Sequence, residues 1–174
     1  MIKKILIILL LILGFLVWAW WGYRTDNVYF LKLASQPILK NIFSEVNSKI
    51  YQRGVVQINE NKIDVEIAKS AAAKIAGLSW RKSLAEGSGM LFVEGKSNYY
   101  SFWMKDMLFP IDIIWIANNQ VVDISKNIPV PQGNNLPSYS PDEPANYVLE
   151  VNAGYADRHG IKVGDKVKIE VENK

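Results

Sequence analysis

The chain has 174 residues, 49% apolar and 21% charged, with seven Pro, eleven Gly, one His and no Cys. That supports one modest domain; it excludes a disordered chain, disulfides, thiolate zinc sites and cysteine nucleophiles, and it disfavours histidine-rich metal sites. Of the formal charge of +3, Lys3 and Lys4 supply two; residues 24–174 carry 18 basic and 17 acidic side chains, too even a balance for nucleic-acid binding.

Ile5 to Tyr23 form 19 consecutive positions without a charge. As a helix this run measures about 28 Å, close to the roughly 30 Å hydrocarbon core of a bilayer. Lys3 and Lys4 precede it, so the positive-inside bias keeps the N-terminus cytoplasmic and sends the rest outside. Trp18, Trp20, Trp21 and Tyr23 gather at the far end, where amphipathic rings favour the interface. Residues 1–23 are therefore expected to be an uncleaved signal-anchor of a single-pass cytoplasmic-membrane protein. Cleavage near Ala19, which would release a secreted domain, is the alternative. Residues 24–54 read as a helical connector: Leu39, Ile42, Phe43, Val46 and Ile50 keep helical spacing, behind Ser35 as a cap and Pro37 in the first turn.

From Val55 the period becomes two. Val56 and Ile58, then Ile63, Val65 and Ile67, alternate with polar residues around a turn at Asn59 to Lys62. Ser70 to Ala76 reads as a short Ala-rich helix, capped by Ser70 and closed by Gly77. Strands are expected at Met90 to Val93 and Tyr99 to Met104, then a hairpin of Ile111 to Ala117 with Gln120 to Ser125 around Asn118-Asn119. Tyr147 to Asn152 is a further strand, Gly154 to His159 a second short helix, and Lys166 to Glu172 a closing strand. Pro129 to Pro144 holds five prolines and reads as a surface connection, a lid or a binding loop. The expectation for residues 55–174 is a mainly β domain, a small closed or nearly closed barrel with two short helices.

Several motifs stand in order along this region: Gly77-Leu78-Ser79-Trp80-Arg81, Gly89-Met90-Leu91-Phe92, Phe102-Trp103-Met104-Lys105-Asp106, Pro110-Ile111-Asp112-Ile113-Ile114, Tyr147 to Gly154 and Gly164-Asp165-Lys166-Val167. With these the chain resembles the domain of unknown function numbered 192, from about Asn59 to Val171. The family pattern usually has Met where Ser79 stands. The resemblance implies a compact, β-rich and often exported domain; it brings no established activity.

Two carboxylates stand out. Alternation puts Asp112 on one face with Ile114 and Ile116, and Glu150 on one face with Val148 and Asn152. An unpaired buried carboxylate costs several kcal/mol, so each must reach solvent, a basic partner or backbone donors. Brought within about 5 to 9.5 Å of each other, they could perform acid–base work of the glycosidase kind. Phe102, Trp103 and Met104 read as core or as a ligand platform, and Lys105 lies at the strand end. The planar fork of Arg81 suits a carboxylate, internal or from a ligand. His159 complements the dipole of its short helix. The candidate binding residues are Arg81, Trp103, Lys105, Asp112, Glu150 and Asn152, with no catalytic residue, metal ligand or cofactor assigned. Together these features favour a membrane-anchored extracytoplasmic module that binds a peptide, glycan or envelope protein without catalysis. A hydrolase using Asp112 and Glu150 is the alternative, and oligomeric state carries no signal.

Overall fold

The computed structural model describes residues 51–133 and 136–172. The expected anchor and all but the last residues of the expected connector lie outside the described residues. Among the described residues no helix is long and apolar enough to cross a membrane.

Nine strands and two short helices follow in chain order: β1 (Gln52–Ile58), β2 (Asn61–Ala68), α1 (Ala71–Ala76), β3 (Ser88–Asn98), β4 (Phe102–Trp103), β5 (Ile111–Ala117), β6 (Gln120–Ile128), β7 (Ser138–Tyr139), β8 (Ala145–Asn152), α2 (Tyr155–Arg158) and β9 (Val167–Val171). β1 thus takes in Gln52 to Gly54, which the helical spacing upstream had placed in the connector. The turn chemistry explains the hairpins: Asn59, Asn118 and Asn119 all adopt positive φ, which asparagine tolerates better than most residues. Ser70 caps α1 by accepting from Ala73 N at 3.2 Å.

Seven strands form one sheet in the order β6-β5-β8-β3-β2-β1-β9, and β4 and β7 pair separately. Only β2 and β3 run parallel, joined by the crossover through α1; the other pairs are antiparallel. The sheet is not closed into a barrel. Its ends touch where Gln120 bridges Lys166, with Val121 N donating to Asp165 O at 3.0 Å and Gly164 N to Val121 O at 2.8 Å. β5, next to the β6 edge, has all seven residues buried, so this strand is covered on both faces.

Two cores supply that cover. Ile58, Ile63, Val65, Leu91, Ile114, Leu149 and Val151 pack on one face beneath Tyr155 and Ile161. Met90, Phe92, Ile111, Ile113, Trp115 and Val148 pack on the other, beneath Tyr51, Ala73, Leu78, Met104 and Met107. The proline-rich stretch is not an unpaired connection, since it contributes β7, where Tyr139 pairs with Phe102 and packs on the second core.

Candidate functional site

The second face opens into a cleft of about 280 Å³ between the end of α1, β3 and the β4 segment. Phe102 fixes one wall through edge-to-face contacts with Phe92 (5.0 Å between centroids) and Trp115 (5.5 Å). Leu78 and Met107 add apolar lining, and Lys74 pairs with Glu94 at 2.6 Å on another wall. At the lip Trp103 remains 62% exposed, although it borders the cleft, and Lys105 Nζ lies 5.9 Å from its ring centroid. The turn after α1 is clasped to this lip. Ser79 Oγ donates to Lys105 O at 3.0 Å, and Trp80 N donates to Asp106 O at 2.9 Å. Ser79 thus acts on the lip through its hydroxyl.

Glu150 borders the same cleft from β8, with Met90 of β3 on one side and Ile113 of β5 on the other. It is buried, at 5% exposure, and no hydrogen bond to its carboxyl is made among the described residues. Burial pushes that carboxyl up to about 8, and the positive charge of Arg81 opposes the rise only in part. Arg81 is itself committed: its two terminal nitrogens meet both oxygens of Glu66 at 3.1 and 2.5 Å, and its guanidinium lies 5.5 Å from the Tyr51 ring centroid. Burial works most strongly against the Arg81 charge, but the hydrogen bonds and charge of Glu66, together with Tyr51, outweigh it, so its pKa rises. Burial likewise raises the Tyr51 phenol, with Arg81 opposing. Cross-strand pairing sets Glu66, Met90 and Glu150 in one row, so the two carboxyls flank a methionine on one face.

The structure therefore brings Trp103, Lys105 and Glu150 to one cleft, with Arg81 beside it. Asp112 and Asn152 go elsewhere. Asp112 is fully buried on the opposite face, where Oδ1 accepts from Asn127 N at 2.7 Å and Gly154 N at 3.0 Å, and Oδ2 from Ala156 N at 3.0 Å. It holds the first turn of α2, whose own N-cap, Gly154, has no side chain to offer. Asn152 Nδ2 donates to Leu84 O at 2.9 Å and fastens the loop ahead of β3. The approach of Asp112 to Glu150 that the alternative hydrolase reading needs is thus not formed, because Asp112 lies opposite Val151 and Glu150 opposite Ile113, on alternate faces of adjacent strands.

Sequence reasoning missed Glu66, Lys74, Glu94 and Tyr51. Glu94 had a signal, since it follows Met90 and Phe92 at strand spacing and so shares their face. Glu66 alternates with buried Val65 and Ile67 and reads simply as solvent-facing. Among the described residues no cluster of three or more His, Asp or Glu could hold a metal ion.

An open, mainly β sheet with both faces covered, carrying an amphipathic cleft with a buried carboxyl, defines the class. Within it the chain belongs to the DUF192 family, described as an uncharacterized ACR, whose model matches residues 54–169. The chain is similar to a crystal structure of a candidate transcription regulator from Sinorhizobium meliloti 1021, at 30% identity and a TM-score of 0.58, over 68% of this chain and 92% of that one. It is equally similar to a protein of unknown function from Novosphingobium aromaticivorans DSM 12444, with 30% identity and a TM-score of 0.58, over 68% of this chain and 84% of that one. No curated protein matches.

Proposed function

We propose that the protein is a noncatalytic binding module of the cell envelope, tethered to the cytoplasmic membrane by Ile5 to Tyr23 and holding its ligand in the cleft beside Trp103. The observation that carries the reading is Glu150, a buried carboxyl that borders the cleft and takes no hydrogen bond from the described residues. Buried polar groups are ordinarily paired, so a carboxyl left open towards a cleft with an exposed tryptophan at its lip suits a ligand group. The uncharged N-terminal run and its tryptophans support the tether. The regulator description belongs to the Sinorhizobium protein. For this chain the even charge balance over residues 24–174 speaks against a nucleic-acid partner. The hydrolase reading loses its support, because Asp112 spends its carboxylate on three backbone donors.

Native mass spectrometry of the full chain purified from its own envelope, with cross-linking beforehand, tests the proposal. A bound species or cross-linked partner that is lost in Trp103→Ala is expected. Absence of both would overturn it.

A further inference from the structure

A surface helix ordinarily turns its polar side to water, and α1 does not. Ala73 is buried, while Ala71, Ala72, Ile75 and Ala76 share the other face at helical spacing and are all exposed and all apolar. Ile75 is 83% exposed. The apolar face continues onto the lip of the cleft. Ile75 and Trp103 both border the cleft, Trp80 N is bonded to Asp106 O, and Leu108 follows two residues later. Ile75, Trp80, Tyr99, Trp103 and Leu108 are five of the eight large apolar side chains exposed among the described residues. A cluster of this kind marks an interaction surface.

Charge points to what the surface meets. Residues 69–85 carry Lys69, Lys74, Arg81 and Lys82 with no acid, and residues 99–109 carry Lys105 and Asp106. Glu94 and Glu66 neutralise Lys74 and Arg81 from the sheet. Lys69, Lys82 and Lys105 are exposed and make no ion pair among the described residues. Lysine is depleted where protein meets protein, whereas beside an anionic lipid surface each lysine gains from the surface potential. Tryptophan and tyrosine favour the same headgroup level. The chain also enters the domain here: Tyr51 donates to Ala73 O and Gly77 O at α1, and only 27 residues separate it from Tyr23.

We infer that the exposed face of α1, together with Trp80, Trp103 and Leu108, docks on an anionic lipid surface. The apolar side chains enter the headgroup level, and Lys69, Lys82 and Lys105 meet the negative headgroups. The inference builds on the membrane tether of the reading above and deepens it. Because Ile75 and Trp103 border the cleft, a ligand is met at the membrane surface.

The absence of cysteine allows a direct test, with a polarity-sensitive dye on Ala72→Cys in the α1 face or on Val163→Cys outside the cleft lining. The full chain is reconstituted into phosphatidylcholine vesicles with or without phosphatidylglycerol, each with a spin-labelled lipid as quencher. With phosphatidylglycerol, the dye at position 72 should shift to the blue and lose fluorescence to the quencher, and the dye at position 163 should do neither. Quenching at position 72 should fall towards the level at position 163 in three cases: in phosphatidylcholine alone, in the added double substitution Ile75→Asp and Trp103→Ser, and at about 1 M salt, where the Debye length is about 3 Å. Equal quenching at both positions, or none at position 72, would overturn the docking face. So would a blue shift at position 72 without quenching, which marks a protein cover from a second copy or from the chain's own connector. Alkaline extraction reads the tether separately: a chain quenched at position 72 yet washed off by alkali supports the docking face and defeats the anchor.

Discussion

Asp112 and Glu150 occupy diagonal positions of the β5–β8 pairing, yet their surroundings treat them oppositely. Three backbone N–H groups converge on the Asp112 carboxylate, so removing its charge disturbs a complete set of bonds. Asp112→Asn turns one acceptor oxygen into a donor that faces a donor, and a loss of about 1 to 3 kcal/mol is expected in a urea melt. Glu150 behaves in the other sense. Its carboxyl gives up its proton near 4.5 in the ordinary case and at about 8 when buried in the fold. Between those values the folded state holds a proton that the unfolded chain has released, so stability falls as pH rises. The contribution is intact below pH 4.5 and gone above about 8, with a span on the order of a few kcal/mol. Glu150→Gln should therefore melt close to the wild type at pH 4.5 and distinctly above it at pH 9. Melting curves that keep the same separation at both pH values would contradict the assignment.

Short elements carry the cleft, and their local signals differ in how far they reach. α1 has six residues, so its Ser70 cap is a large fraction of what holds it. Ser70→Ala should lower stability by about 1 kcal/mol, measured by thermal melting, and leave the rest of the sheet in place. That helix, the Asn118-Asn119 hairpin and the β1–β2 turn were legible because each depends on neighbours within a few residues. β5 was legible as a strand, but its cover on both faces was not: Asp112 interrupts its apolar residues, and the two cores that cover it come from distant elements. β7 was not legible, since two residues in a proline-rich stretch leave no period to read. The cleft itself was half legible: alternation places Glu150 and Glu94 on one face, but it cannot name the partner across a loop. Arg81 meets Glu66 from 15 residues away and Lys74 meets Glu94 from 20, and both pairings arise only when α1 folds back over the sheet. Asp112 reaches its Ala156 donor across 44 residues, which is why its role separates from that of Glu150 only in three dimensions.

At the scale of the chain, residues 24–174 carry a nearly even charge, while the two lysines that tip the balance stand before the uncharged N-terminal run. That asymmetry underlies the proposed topology, with Lys3 and Lys4 retained in the cytoplasm and the cleft presented outside. The absence of cysteine provides a clean test, because a single introduced thiol is the whole signal. Val163 lies 62% exposed, outside the cleft lining and before β9, so Val163→Cys should leave the fold intact. In intact spheroplasts a membrane-impermeant maleimide should label this variant fully, with no further labelling after lysis. Labelling that appears only after lysis would reverse the orientation. The same sample separates an anchor from a cleaved leader: labelled chain that stays in the alkali-washed membrane at full mass marks an anchor, and labelled chain in the medium, shortened near Ala19, marks secretion.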